Sequence, residues 1–241
     1  MDYNVLKDEC TAWIRDWFER NGKGCNAVLG MSGGKDSTVA AALCAEALGK
    51  DRVIGVSMPQ QGQGTNGAED ICRWLGIRYI EAPIADIIAG FDSVRKAIGS
   101  ALSNQSEQNI PPRIRMTVLY AISQSFNGRV VNTCNLSEDW VGYATRWGDS
   151  AGDFSPLGGL TVQEVKGIGH ALGLPYAWVE KVPDDGLPHS LPDEEKFGFT
   201  YAVLDRYIRS GICDDEAVKN KIDAMHRANL FKLSMPEKFE P

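Results

Sequence analysis

Short apolar runs alternate along the chain with longer stretches in which apolar residues recur at helical spacing. The runs at 27–31, 53–58, 77–80 and 129–134 are too short for helices and predict buried strands. Turn-forming residues such as Gly, Asn and Pro separate them from the amphipathic stretches. The predicted helices cover residues 4–20, 38–48, 67–75, 84–102, 112–126, 162–172, 201–209 and 214–228.

The order of these elements predicts the fold class. Strand, loop and helix alternate through the first half of the chain, and this alternation is typical of a parallel sheet covered by helices. We therefore expect an α/β protein with a doubly wound parallel sheet in three α/β/α layers, built as a single domain over residues 1–241. The stretches at 100–111 and 183–198 are predicted to be loops that act as lids over a site.

The charge balance limits the class of partner. The net charge is −7, with 25 Lys and Arg residues against 32 Asp and Glu residues. Binding to bulk nucleic acid needs an excess of basic side chains, so we expect no nucleic-acid partner. Basic groups clustered in a pocket are still compatible with a small phosphorylated ligand.

Targeting features point to the cytoplasm. The amphipathic start of the chain contains acidic residues and differs from a signal peptide, and no apolar run is long enough to span a bilayer. None of the six cysteines lies at C-x-x-C spacing, so we predict reduced thiols rather than a zinc or redox site. We expect a cytoplasmic protein with no membrane partner.

A phosphate-binding loop is predicted at residues 30–38, with the sequence G-M-S-G-G-K-D-S-T. It lies between a predicted strand and a predicted helix, where glycines bring backbone N–H groups close to an anion and the helix dipole favours negative charge. The Walker A pattern fails because Asp36 follows Gly34-Lys35, and the G-x-G-x-x-G pattern fails as well. The alternative is a Ser/Gly turn that only caps a helix.

The carboxylate of Asp36 indicates a divalent cation. A carboxylate beside bound phosphates repels them unless a cation lies between, and Mg²⁺ prefers a carboxylate together with phosphate oxygens and waters. The loop therefore predicts a site for a magnesium-bound phosphate chain.

The S-G-G-x-D-S loop after a strand resembles the pyrophosphate loop of the N-type ATP pyrophosphatases. This resemblance implies an adenine nucleotide α-hydrolase-like fold and adenylation of a substrate with release of pyrophosphate. It also implies that Asp36, Ser32 and Ser37 are catalytic. The implied ATP-binding residues are Gly30, Met31, Ser32, Gly33, Gly34, Lys35, Asp36, Ser37, Thr38, Ser57, Met58 and Thr133.

Three downstream segments are similar to those of NAD synthetases. They are N-I-P-P-R-I-R-M at 109–116, T-C-N-L-S-E at 133–138, and G-Y-A-T-R-W-G-D-S-A-G-D at 142–153. The resemblance implies that Glu138 is a magnesium ligand opposite Asp36. It implies that the substrate-binding residues are Arg113, Arg146, Asp153 and Lys232.

The chain departs from the family pattern at positions expected to contact ATP. Val162 stands where the family has Lys, Asp184 stands where it has Thr, and a His expected near the C-terminus is replaced by Phe231. Lys35, Lys166 and Lys181 are alternative sources of the missing positive charge, and the sequence does not choose among them.

The resemblance implies ATP-dependent amidation of deamido-NAD to NAD through an adenylated intermediate, with ATP as a substrate and Mg²⁺ as cofactor. No glutaminase domain is visible, so ammonia is the expected nitrogen donor, free or delivered by a separate glutaminase. A homodimer with contacts through helices 84–102 and 112–126 is implied. The alternatives are another pyrophosphate-loop enzyme that modifies tRNA or nucleobases, and a degenerate nucleotide-binding homologue.

Overall fold

A four-stranded parallel sheet forms the centre of the computed structural model, which describes residues 1–60, 62, 64–181 and 193–240. The strand order is β3-β2-β1-β4, so β1 pairs with both β2 and β4. In register, Val28 lies beside Ile54 on one side and Val130 on the other. The strands are β1 Asn26–Gly30, β2 Val53–Ser57, β3 Arg78–Glu81 and β4 Gly128–Val130.

Helices cover both faces of this sheet. Ala27 and Leu29 belong to an apolar cluster with α1, α2 and α7, whereas Val28 belongs to a second cluster with α4 and α5. This alternation along β1 confirms the predicted three-layer α/β/α arrangement. The helices are α1 Tyr3–Asn21, α2 Lys35–Leu48, α3 Ala68–Leu75, α4 Ala85–Ile98, α5 Asn104–Ser125, α6 Leu136–Val141, α7 Val162–Ala171, α8 Tyr176–Val179, α9 Asp193–Phe197, α10 Tyr201–Ser210 and α11 Glu216–Leu233.

A third apolar cluster joins the C-terminal helices to the rest of the protein. It contains Val141 of α6, Val162 of α7, Leu204 of α10 and Ile222 of α11. Through it, α11 packs beside the segment that follows β4. No helix within the described ranges has the length and apolarity that a membrane crossing requires.

The predicted loop over 100–111 is wrong from residue 104 onward, because α5 begins at Asn104 and contains Pro111 and Pro112. Prolines normally end a helix by removing a backbone donor. Here the hydroxyl of Ser103 caps the helix by accepting from the amide of Ser106 at 3.2 Å, and Ile110 and Ile114 bury on one face. Arg113 consequently lies in the middle of α5 and not at a helix start.

Two other predicted boundaries differ from the structure. The strand expected over 129–134 ends at Val130, because the amide of Asn132 donates to the carbonyl of Phe154 at 2.9 Å and leaves the sheet ladder. The loop expected over 183–198 contains α9 at its end. Residues 183–192 of that predicted loop, which include Asp184, are outside the part of the chain that the structure describes.

Candidate active site

A cavity of about 780 Å³ opens at the carboxyl ends of the strands. The chain passes from β1 to β2 on one side and reaches β4 on the other, so a crevice forms between the loops that leave β1 and β4. Ligands of open α/β sheets bind at such a switch point. The loops after β1, β2 and β4 line the cavity together with α5, α6 and residues Lys181 and Asp193.

The loop after β1 has the geometry of an anion cradle. Gly33 adopts a φ of +76°, and an added Cβ would collide with the backbone carbonyl of Asn66, so this position requires glycine. Among the residues that the structure describes, no side chain caps the N-terminus of α2 at Gly34. Its first N–H groups and the positive end of its dipole are therefore available to an anion.

Hydroxyl groups line the inside of the same loop. The Oγ atoms of Ser32 and Ser37 lie 3.2 Å apart, and Ser37 Oγ also donates to the carbonyl of Gly34 at 3.1 Å. Thr38 Oγ1 donates to that carbonyl at 2.7 Å. Ser32 and Ser37 line the cavity, so their hydroxyl groups can rotate to donate to a bound phosphate. Thr38 is not among the described lining residues, and its hydroxyl stabilises the loop through Gly34.

Asn135 connects two carboxylates at the mouth of the crevice. Its amide Nδ2 donates to Asp36 Oδ1 at 3.0 Å, and its backbone N–H donates to Glu138 Oε2 at 3.2 Å. Asn135 is the N-cap of α6, and its side chain accepts in return from the amide of Glu138. The start of α6 therefore fixes Glu138 beside Asp36, although the two residues come from different strand ends.

The two carboxylates repel each other in this setting. Burial raises the pKa of Glu138 well above its usual range, and the charge of Asp36 raises it further. A cation placed between them would relieve this cost. The arrangement thus favours a positively charged ligand at the phosphate loop.

Lys35 supplies one positive charge to this crevice. Its side chain is 2% exposed, and its Nζ donates to Asp36 Oδ2 at 2.8 Å. Burial acts to lower the pKa of Lys35, but the charges of Asp36, Glu138 and Asp193 outweigh it and raise the pKa. The ammonium therefore stays protonated at neutral pH.

The residues present fit a magnesium ion that is shared with a ligand. Within the described part of the chain, no group of three or more His, Cys, Asp or Glu side chains is arranged to hold a metal alone. Mg²⁺ is commonly held by one or two carboxylates plus phosphate oxygens and waters. Asp36 and Glu138 match that donor set beside the phosphate loop.

Most residues predicted to bind ATP face this cavity. Thr133 and Glu138 line it from the loop after β4 and from α6, and Ser57 and Met58 line it from the end of β2. Gly33 and Thr38 are not among its described lining residues, since they support the loop from within. The lining residues from the phosphate loop are Gly30, Met31, Ser32, Gly34, Lys35, Asp36 and Ser37.

Two basic residues predicted to bind substrate have protein partners outside the described cavity lining. The guanidinium of Arg146 lies over the rings of Trp147 and Phe231, and its Nη2 donates to the carbonyl of Ser234 at 3.0 Å. Lys232 Nζ donates to the carbonyl of Gly142 at 2.8 Å. Both side chains hold α11 against the 142–153 segment.

Asp153 and Arg113 also lie apart from the described lining. Asp153 Oδ2 accepts from the amide of Val130 at 2.7 Å, and Oδ1 accepts from Tyr120 at 3.3 Å. Arg113 is exposed on α5, and its Nε lies 3.4 Å from the carbonyl of Arg146. These contacts give Asp153 a clear structural role at the end of β4.

Charged residues of the cavity lining such as Arg115 and Asp193 are not among the predicted site residues. Arg115 enters the cavity from α5 and donates through Nε to the carbonyl of Met58 at 3.1 Å. Both arginines of the R-x-R spacing match the family pattern, but the resemblance assigned the substrate contact to Arg113 alone. Asp193 lines the cavity without any motif that marks it.

Two of the three candidate lysines reach the phosphate loop. Lys35 faces the carboxylates, and Lys181 Nζ donates to the carbonyl of Gly33 at 3.1 Å. Lys166 instead pairs with Glu180 at 2.7 Å. Val162 is buried in the third apolar cluster, away from the described lining.

Together, the parallel sheet, the uncapped glycine loop and the adjacent carboxylates define an adenine nucleotide α-hydrolase-like protein with a pyrophosphate loop. A family model described as NAD synthase matches residues 6–236. The chain belongs to the NAD synthase family.

Individual relatives agree with this assignment. The chain is 38% identical to the NH(3)-dependent NAD(+) synthetase of Methanococcus aeolicus, over 79% of this chain and 75% of that protein. It resembles the NH3-dependent NAD synthetase structure from Campylobacter jejuni with a TM-score of 0.79 and 29% identity, over the full length of both chains. It resembles the NMN synthetase structure from Francisella tularensis with a TM-score of 0.89 and 25% identity, over 99% of this chain and 98% of that one.

Proposed function

We propose that this chain catalyses the ATP-dependent amidation of deamido-NAD to NAD, releasing AMP and pyrophosphate, with ammonia as nitrogen donor. The observation that carries the proposal is the pair of carboxylates, Asp36 and Glu138, held by Asn135 beside the uncapped start of α2. This pairing suits a magnesium-bound triphosphate: Glu138 completes the cap of α6, but burial and the repulsion between the two carboxylates oppose bringing them together without a cation.

The first step is adenylation. The N–H groups at the start of α2 and the hydroxyls of Ser32 and Ser37 bind the β- and γ-phosphates, which leave as pyrophosphate. A magnesium ion held by Asp36 and Glu138 would neutralise phosphate charge and favour this departure. The nicotinate carboxylate then forms a bond to the α-phosphorus as the bond to pyrophosphate breaks.

The second step forms the amide. Ammonia attacks the acyl carbon of the adenylate, a proton leaves the nitrogen, and AMP departs with the electron pair of the acyl–oxygen bond. Water competes for the same adenylate, so the walls of the crevice between the β1 and β4 loops must limit its access for the amide to form in preference to hydrolysis. The cavity walls supplied by α5 and α6 serve this exclusion.

The test is to incubate the protein with ATP, Mg²⁺, deamido-NAD and ammonium, and to measure NAD and pyrophosphate. We expect both products in equal amounts, and their loss in Asp36→Asn. Glu46→Gln, at the other end of α2, is the matched control and should keep full activity. Absence of NAD at every ammonium concentration would overturn the proposal.

A second candidate substrate is the nicotinate mononucleotide, which offers the same carboxylate without the adenylate half. The high TM-score to an NMN synthetase favours it, and so do the protein contacts that already occupy Arg146 and Lys232. Parallel kcat/KM measurements with the mononucleotide and with deamido-NAD decide between them. A ratio above 10 for either substrate would identify the preferred one.

The remaining expectations concern assembly and context. We propose a homodimer in which α4 supplies the contact, because Ile87, Val94 and Ile98 expose apolar side chains on this helix. Light scattering of the wild type and of Ile98→Glu tests this. The single-domain organisation, a separate glutaminase as ammonia source and a cytoplasmic location stay predictions.

A further inference from the structure

The ammonium of Lys35 occupies an unusual position for a lysine. Long basic side chains rarely bury completely unless they are paired, and Lys35 is almost fully buried. It lies in the first turn of α2, where the helix dipole disfavours a positive charge. If Lys35 only filled space in the first turn of α2, any apolar side chain would serve. The positive charge at this position is therefore explained by the carboxylates around it.

Three carboxylates from three helices act on this ammonium. Asp36 belongs to α2, Glu138 to α6 and Asp193 to α9. On the remaining side, the ring of Tyr201 in α10 lies 6.0 Å from Nζ, and its hydroxyl donates to Asp193 Oδ2 at 3.2 Å. One ammonium thus faces three carboxyl groups, and burial and the charge of Asp36 raise the pKa of Glu138, so this set has room for more positive charge than Lys35 supplies.

Both oxygens of Asp36 have partners in this arrangement. Oδ1 accepts from Asn135 Nδ2 at 3.0 Å, and Oδ2 accepts from Lys35 Nζ at 2.8 Å. The amide of Asn135 is fixed, because its oxygen caps α6. Lys35 has a flexible four-carbon stem, so its contact is the one that a metal approaching Asp36 would displace.

We propose that Lys35 is a resident counter-ion of the metal site, which keeps divalent cations from binding to the protein alone and moves to the phosphates when metal and ATP bind together. In the nucleotide-free protein the ammonium holds Asp36 and repels an incoming cation. ATP brings phosphate oxygens that attract the ammonium away from Asp36 Oδ2. The inference rests on the proposed function, since it assumes that Asp36 and Glu138 hold the metal.

The test measures metal binding without turnover. Mn²⁺ replaces Mg²⁺, and the electron paramagnetic resonance signal of free Mn²⁺ reports binding to nucleotide-free wild type and to Lys35→Met. Removing a charge at this distance from the metal ligands should tighten Mn²⁺ binding by about 10- to 100-fold. The same variant should bind a non-hydrolysable ATP analogue with Mn²⁺ more weakly than the wild type does.

Two further variants serve as controls. Lys35→Arg keeps the positive charge and should keep the weak Mn²⁺ binding of the wild type. Lys181→Met removes the other lysine of the cavity, whose ammonium contacts the carbonyl of Gly33 and no carboxylate of the metal site. Its nucleotide-free Mn²⁺ binding should match that of the wild type.

Specific outcomes overturn the inference. If Lys35→Met and the wild type bind Mn²⁺ with equal affinity, the role of Lys35 as a counter-ion is wrong. NAD formation by the wild type would still support the proposed function in that case. If Lys35→Met does not fold, the wild type alone decides, because micromolar Mn²⁺ binding without nucleotide contradicts the proposal. Mn²⁺ that fails to bind even with the ATP analogue would remove the metal site and Lys35's role together.

Discussion

The two ends of the cavity use their charged side chains in different ways. The phosphate end consists of residues 30–38 and 133–138. Its charged side chains Lys35, Asp36 and Glu138 face the crevice and lie close enough for their charges to interact. At the acceptor end, which we name for the substrate contacts that the family resemblance implies for it, residues 142–153 pack against α11 beside the described lining, and Arg146 and Lys232 bind backbone carbonyls. The first group gains from a ligand, whereas in the second the Nη2 of Arg146 and the ammonium of Lys232 already have protein acceptors, although the buried Nε of Arg146 has none among the described residues.

This difference separates two kinds of constraint on a binding site. Uncompensated charge in a buried crevice costs stability, and it persists because a ligand offsets it. Charge that caps a helix end or joins two segments stabilises the protein directly. Substitutions at the two ends should therefore affect different measurements, activity in one case and unfolding in the other.

The largest effect is expected from Asp36→Asn. It removes a charge aimed at the reacting phosphates and should lower kcat/KM by at least about 10²- to 10³-fold. Its melting temperature should fall moderately, because the buried ammonium of Lys35 loses its charged partner while the repulsion of Glu138 is relieved. Steady-state kinetics and thermal unfolding check this, and a kcat/KM close to that of the wild type would place Asp36 in the structural group instead.

The second largest loss of activity is expected from Gly33→Ala. A Cβ there meets the carbonyl of Asn66, so the loop must shift, and a displacement near 1 Å costs about 10²-fold in rate. Gly24→Ala is the control, because Gly24 has a similar φ of +75° but nothing within 4 Å of the new methyl. Equal kinetic losses in both variants would argue against a rate effect specific to the loop.

A stability effect without a kinetic one is expected at Asp153. Asp153→Ala leaves the amide of Val130 without its carboxylate acceptor and should lower the free energy of unfolding by about 1–3 kcal/mol. Asp153→Asn retains an oxygen acceptor and should lose less. Denaturant unfolding measures both, and a KM for the acceptor substrate raised tenfold in Asp153→Asn would restore this residue to substrate binding.

The smallest effect is expected from Lys232→Met, which removes a donor to the carbonyls of Gly142 and Ala144. A loss of about 1 kcal/mol in unfolding free energy is typical of such a bond. Lys238→Met, on the exposed C-terminal tail, is the matched control and should change nothing. A higher KM for the acceptor in Lys232→Met, at unchanged stability, would reverse our assignment.

Most residues that local pattern assigned to phosphate binding line the cavity, whereas those assigned to the acceptor substrate lie beside its described lining. Gly33 and Asp36 have roles that their own backbone and charge dictate, so a nine-residue stretch was enough. Arg146 depends on Trp147, Phe231 and Ser234, and the partners at 231 and 234 are distant in sequence. Their meeting depends on how α11 packs, which periodicity cannot specify.

The course of α5 illustrates the same limit. Pro111 and Pro112 predicted a helix boundary, but the cap at Ser103 and the burial of Ile110 and Ile114 outweighed them. Arg115 is consequently placed to enter the cavity and contact Met58, which a helix starting at residue 112 did not suggest. Tertiary packing, absent from a window of sequence, determined which arginine faces the site.

The cap at Asn135 has a further consequence for when the site is assembled. Asn135 caps α6 with its side-chain oxygen, donates to Asp36 through its side-chain nitrogen and donates to Glu138 through its backbone N–H, so the ligand geometry is acquired as soon as that helix forms. Metal and nucleotide then meet side chains whose rotational freedom was already lost during folding. Assembly of the donor set thus costs little entropy at the moment of binding.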